Sequence, residues 1–243
     1  MAACAADSRR SASIQNGLYT LFRSENLHAS AEPELHIARD GPQGAHGTGS
    51  GARERILASA YELFSRRGIR AVGVNEIIER AGVAKATLYE HFPSKDDLAL
   101  AFLQRRERLW THEWVENEAR RRGTTPEEGL FAIFDTFDEW FRQDGFEACS
   151  FINVLLEMGN GHPLGQASAA HLENIRSVVR TLAEEAGLRD LEEFAHAWHI
   201  LMKGSIVAAA EGDRDAAQRA KSIARLVIEQ YRAEPVASGH RLA

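Results

Sequence analysis

From Arg53 to Tyr231 apolar residues recur at spacings of three and four, and very few prolines interrupt them. That period suits helices and not strands, whose side chains alternate every second residue. The pattern breaks at Gly68, Gly82, Pro93, the run GNGHP (residues 159–163) and Gly187. Glycine and proline are the residues that stop helices, so these breaks, with the further boundaries near residues 121–125, 142–148 and 211–212, divide the chain into nine expected helices and predict an all-α fold.

The first helix runs from Arg53 to the stop at Gly68. It carries Ile56, Leu57, Ala60, Leu63 and Phe64 on one face, with Arg66 and Arg67 in its last turn. The second is short, with Val74, Ile77, Ile78 and Ala81 inward. The third, Lys85 to His91, has about two turns. The fourth begins at Ser94 and is expected to reach residue 120, with Leu98, Phe102 and Leu109 inward. Thr125 caps the fifth, with Pro126 at its first position and Glu127 and Glu128 in its first turn. The sixth spans 149–158, the seventh 164–186, the eighth 190–210 and the ninth 213–231.

Residues 1–50 lack this periodicity and read as a disordered extension. Residues 13–22 could form a transient helix or strand, and the glycine-rich residues 40–52 read as a linker. A head of residues 51–98, a body of residues 99–232 and a flexible tail of residues 233–243 complete the expected organisation. Charge is divided unevenly: residues 51–110 hold 11 Lys/Arg against 8 Asp/Glu, and residues 111–243 hold 14 against 22. A basic module on an acidic body suits a protein that meets phosphate with one end only. Cys4 and Cys149 cannot form a disulfide framework, which points to a reducing, cytoplasmic compartment. No apolar run is long enough to span a membrane, and the first residues lack the apolar stretch of a secretory signal.

The third helix is shorter than an isolated helix can sustain in water. Paired with the second across AGVA (residues 81–84), it has the outline of a helix-turn-helix, whose second helix enters the major groove of DNA. Ile77, Leu88 and Phe92 are the expected support. Lys85 stands near base edges or phosphate. Thr87 offers a hydroxyl to phosphate and a methyl to thymine. Tyr89 and His91 splay to either flank, and Lys95, just past the Pro93 stop, joins a helix N-terminus that favours phosphate.

The stretch GIRAVGVNEIIERAGVAKATLYEHFPSKDDL, Gly68 to Leu98, resembles the DNA-binding segment of the TetR/AcrR family of transcriptional repressors, through its AGV, TLY, HF and SK elements. The resemblance extends from Arg53 to Leu98. It implies a two-domain, all-helical homodimer that binds a palindromic operator and is released by a small molecule in the C-terminal domain, without a cofactor. By position, Lys85, Thr87, Tyr89, His91 and Lys95 match the family's DNA-contacting places. Gly73 stands where the family commonly has Thr or Ser, Ala84 where Ser is frequent and Ala86 where Gly is frequent. The dimer interface implied by the resemblance lies in the helices spanning Asp190–Tyr231, where IVAAAEG (residues 206–212) supplies small residues and Ile223, Leu226, Val227 and Tyr231 supply apolar ones.

In the body, FDTFDEWFRQDGFEACSFIN (Phe134 to Asn153) is similar to a TetR subgroup with a W-F … F-x-G-C-x-F-x-N pattern, Ala148 replacing the Gly. Phe134, Phe137, Trp140 and Phe141 form an aromatic stripe that is either core or one wall of an apolar effector pocket, with Cys149 and Asn153 as polar anchors and Trp198 opposite. Cys149, near a helix N-terminus, is a candidate thiol sensor, although a buried inert thiol is the commoner case. Glu193, His196 and His199 sit at the spacing of one half of a di-iron carboxylate site, which makes a metal-binding helical bundle or enzyme the alternative. No second Glu-x-x-His helix accompanies it, so no metal is expected. No nucleophile elbow, phosphate-binding loop or dinucleotide fingerprint occurs, so no catalysis is expected.

Overall fold

The computed structural model describes residues 48–232, with side chains from Gly51 onward. The extension up to residue 47, including the 13–22 segment, Cys4 and most of the expected linker, and the tail from residue 233 lie outside them. The described residues form nine helical rods, one of them built from three segments joined end to end. Their one extended pairing is an isolated antiparallel bridge between Leu188 and Arg232.

Helix α1 (Thr48–Arg67) begins ahead of the expected start at Arg53. A helix already nucleated by a packed face gains a hydrogen bond for each residue it adds, so it extends into the Gly-Ser-Gly stretch read as linker. Helix α2 (Val74–Ala81) ends at Gly82, whose φ of 60° places it in the left-handed region. The Gly82 N–H closes the helix on the carbonyls of Glu79 and Ile78. Helix α3 (Lys85–His91) follows after one short turn, and Phe92 leaves it in extended conformation. Helix α4 (Lys95–Arg106) is capped by Ser94, whose hydroxyl accepts from the Asp97 N–H at 3.1 Å and donates to the Asp97 carboxylate at 2.6 Å. These four helices share a core of Ile56, Phe64, Ile77, Leu88, Leu98 and Phe102. Phe102 is its hub, edge-on to Tyr61 at 5.4 Å and to Phe64 at 5.6 Å. Each such ring buried contributes about 1.5–3 kcal/mol.

The expected fourth helix is corrected in one respect. The rod continues past α4 as a π-helical segment, Glu107–Glu116, and then as α5, Asn117–Arg122. A π turn holds more residues than an α turn, so the facing of side chains shifts along the segment. Leu109, expected inward, is only partly buried, and Trp110, Thr111 and Val115 point into the core instead.

Helix α6 (Pro126–Phe141) opens with a full capping box: the Glu128 N–H donates to the Thr125 hydroxyl at 3.2 Å, and the Glu128 side chain accepts from the Thr125 N–H at 3.2 Å. Helices α7 (Ser150–Met158), α8 (Pro163–Glu185), α9 (Leu191–Ala210) and α10 (Ala216–Tyr231) complete the body. α9 packs along α10 and α8, and α10 returns against α6. The apolar core runs without a break from head to body.

The turn between α7 and α8 depends on Gly165. A Cβ built there would lie 1.9 Å from the carbonyl oxygen of Gly159, so only glycine lets α8 start this close to the end of α7. Gly165→Ala is expected to cost about 1–3 kcal/mol through forced overpacking, read as a lower urea midpoint with an unchanged m-value.

Candidate nucleic-acid interface

Helix α3 has seven residues and owes its place to packing against its neighbours. Leu88 is fully buried and Phe92 nearly so, both in the core built by α1, α2 and α4. The Arg53 guanidinium lies 5.0 Å over the Phe92 ring, and Arg55 donates to the Ala81 carbonyl at 3.2 Å, which fastens α1 to the end of α2. With Leu88 inward, the helical period turns Lys85, Ala86, Tyr89 and Glu90 outward, and all four are exposed. Thr87 and His91 are half-buried on the flank.

The five residues anticipated for DNA contact therefore divide. Lys85 and Tyr89 share the outer face of α3. Thr87 and His91 stand together on its side, one turn apart. Lys95 is half-buried at the start of α4, where burial holds its ammonium below the ordinary lysine range against the pull of Glu157 and Asp96. Two outward residues were not anticipated: Ala86 and Glu90. Their spacing from Lys85 and Tyr89 is that of one helix face and was the available signal. A small side chain can meet a thymine methyl, and a glutamate can accept from the amino group of cytosine. Gly73 and Ala84, at the N-caps of α2 and α3, give no side-chain cap, as their residue types require.

In the body, the aromatic stripe is packed core. Phe134 and Phe137 are fully buried, and Trp140 nearly so. Phe134 meets Trp198 at 5.3 Å, and Phe137 and Trp140 meet Trp110 at 5.8 and 5.6 Å. Cys149 is buried at the N-cap of α7, where burial pushes its thiol up, away from the thiolate a sensor needs. Asn153 is exposed, because α7 turns Phe151 and Val154 inward and leaves position 153 on its outer side. Phe134, Phe137, Trp140 and Trp198 thus pack as one chain of rings, and Asn153 faces away from it. Open surface grooves involve other side chains: one between α1 and α2 (Arg55, Ser59, Glu62, Arg80), one between α7 and α9 (Ile152, Ile200, Lys203, Val207).

A different set of polar groups stands in the body's interior. Trp110 Nε1, Thr111 Oγ1, Ser150 Oγ, Ser168 Oγ, Trp198 Nε1 and His199 Nδ1 are buried without a hydrogen-bond partner among the described residues. His171 Nδ1 lies 2.8 Å from Glu107 Oε2 in the π-helical segment, and Asn174 also donates to Glu107. His196 and Glu193 face solvent while His199 faces the interior, so the three do not share a metal-facing side. Among the described residues no three acidic, histidine or cysteine side chains gather as a metal site, and no helix is long and apolar enough to cross a membrane.

Comparison with known proteins matches residues 56–102 to the family described as "Bacterial regulatory proteins, tetR family". The transcriptional activator FasR of Mycolicibacterium smegmatis is 53% identical over 53 residues, 22% of this chain and 24% of that protein. The regulator QacR of Staphylococcus aureus is 32% identical over 68 residues, 28% of this chain and 36% of that protein. The match to these curated relatives thus spans about a quarter to a third of their length. The solved structure of SCO4454, a TetR-family transcriptional regulator from Streptomyces coelicolor, covers 76% of this chain and 97% of its own, at 28% identity and a TM-score of 0.69.

Burial of His199, with help from Lys203 and Arg176, depresses its pKa from 6.5 to about 3. The folded protein holds it neutral, so below pH 6.5 the unfolded chain takes up a proton that the folded chain refuses. Stability should fall by up to ~1.4 kcal/mol per pH unit as the pH drops from there toward 3. Urea denaturation at pH ~7 and ~5 is expected to show a smaller loss in His199→Leu than in the unaltered protein.

Proposed function

We propose that this chain, whose residues 56–102 match the tetR family of bacterial regulatory proteins, is a homodimeric, effector-responsive transcriptional regulator of palindromic DNA. The observation that carries the reading is the presentation of α3. Lys85, Ala86, Tyr89 and Glu90 face outward from a two-turn helix whose inner side chain is fully buried. The major groove, about 12 Å wide, admits one such helix. Lys85 and Lys95 are assigned to phosphate or base edges, Tyr89, Thr87 and His91 to the backbone on either flank, and Ala86 and Glu90 to bases.

A second copy supplies the second half-site. The outer faces of α9 and α10 leave Ile200, Val207, Ile223 and Leu226 exposed, between 44% and 71% of each residue. Apolar residues at helical spacing on two neighbouring helices suit pairing with the same faces of another copy. Two recognition helices then need to stand about 34–36 Å apart to engage successive major grooves.

The unpaired polar atoms of the body support the effector. Each costs about 1–3 kcal/mol while unmet in a dry interior, and a largely aromatic small molecule with hydrogen-bonding groups would relieve part of that cost. An effector that favours a different separation of the two α3 helices weakens DNA binding by its preference between the two states. FasR is named an activator, but its likeness to this chain is confined to the DNA-binding segment. This protein acts as a repressor where its operator overlaps a promoter.

Selection of operator duplexes from a random pool, followed by footprinting, tests the reading. A short enriched palindrome, lost in Tyr89→Ala, is the expected result. Lys85→Ala should lower the salt dependence of binding by about one phosphate's worth. Failure of any duplex to be enriched would overturn the assignment. Leu226→Glu should yield a folded monomer by light scattering and circular dichroism.

A further inference from the structure

The body reaches the head at places outside the recognition helix: on α1, on the turn after it and at the first turn of α4. α1 ends at Gly68, whose φ of 78° turns the chain out of the helix. The next two amides donate to a single carboxylate at the far end of α7. Ile69 N–H meets Glu157 Oε2 at 3.1 Å, and Arg70 N–H meets Glu157 Oε1 at 2.6 Å. Two further contacts flank this pair: Arg66 Nε lies 3.3 Å from Glu147 Oε1, and His162 Nε2 lies 3.6 Å from Asp96 Oδ2. Glu147, Glu157 and His162 lie on α7 or on the turns at its two ends. The turn after Glu157 is seated by the close approach of Gly159 to Gly165.

The start of α7 faces the interior. Ser150 is buried with its hydroxyl unpaired, and the Phe151 ring lies 5.1 Å from the His171 imidazole. His171 in turn meets Glu107 of the π-helical segment. One nine-residue helix thus has one of the body's unpaired hydroxyls, that of Ser150, at its first turn and the head's backbone at its last.

We propose that Glu157 is the positioning residue that fixes the angle of the head, and with it the half-site spacing that the protein accepts. This rests on the regulator reading above. A carboxylate shared by two adjacent amides holds both the distance and the tilt of the segment it binds. Ile69 and Val72 are buried in the head, so a displacement of Glu157 moves α2 and α3 with them. The rod beginning at α4 is the other attachment. One attachment leaves the head free to swing, and two define its orientation.

The full chain is compared with Glu157→Ala and Glu157→Gln. Hydrogen exchange at Ile69 and Arg70 should quicken by about tenfold or more in the alanine variant, with the cores of α6 and α9 unchanged, and by less in the glutamine variant, whose carbonyl still accepts from one amide. The selected operator is then compared with duplexes whose half-sites are moved apart by about one or two base pairs. The unaltered protein should bind these at least about tenfold more weakly, the alanine variant should discriminate by less than about threefold, and the glutamine variant should fall between. A folded alanine variant with unaltered amide exchange or unaltered spacing discrimination overturns the proposal. Should that variant fail to fold, the glutamine variant decides by the same two readouts. If the unaltered protein selects no duplex, the regulator reading itself falls, whatever the exchange data say about Glu157 and its two amides.

Discussion

Leu88 and Phe92 hold the recognition helix in place, and the geometry of the head follows from that. Seven residues cannot offset the cost of nucleating a helix in water, so α3 exists only while its inner side chains stay in the core built by α1, α2 and α4. Two buried apolar side chains of this size contribute about 1.5–3 kcal/mol each, enough to offset nucleation but not to tolerate a poor fit. The same burial decides what faces out. With Leu88 inward, the helical period leaves Lys85, Ala86, Tyr89 and Glu90 no other side to occupy. Function in the head is therefore a by-product of packing, and Phe102, between Tyr61 and Phe64, keeps that packing rigid.

Much of this was legible in the sequence, for identifiable reasons. Gly68, Gly82 and Gly187 interrupt a strong three-to-four period at helix ends where φ turns positive, and Pro93 stands just past the end of α3. Thr125, Pro126 and Glu128 announce the start of α6 within the chain's own chemistry. What escaped depends on distant partners. The π-helical segment is set among Trp110, Phe137 and Trp140, which a local pattern cannot reveal. Asn153 shares a sequence pattern with Cys149 and Phe151 yet sits on the opposite side of α7. Ala86 and Glu90 lay within reach of a face count but lack the residue types that suggest DNA. Glu157 is the hardest case: it binds backbone amides, and backbone leaves no mark in the residues it belongs to.

The body gives up stability by burying polar groups without partners among the described residues. An interior built only of the aromatic residues that surround Trp198 would be more stable than one that buries Thr111, Ser150, Ser168 and His199 without protein partners. A core with unmet polar groups is held together less tightly at those places. In the head, Arg67 pairs with Glu76 and Arg80 with Glu62 across helices, and the Ser65 hydroxyl alone is buried without a partner among the described residues. Head and body nonetheless share one continuous apolar core.

The π-helical segment has a further consequence for the rod. An α-helix turns by about 100° per residue, and a π turn takes roughly one residue more to complete the same circle. Across Glu107–Glu116 that lag accumulates to the rotation of about two residues, so α4 and α5 present faces that a plain helix of equal length would not align. Insertions and deletions here act as rotations. A chain that dropped about two residues and relaxed to plain α geometry would keep both faces where they are, whereas one that kept its length and relaxed would turn Ala119 out of the core. The length of this rod and the direction of its far end are therefore inherited together.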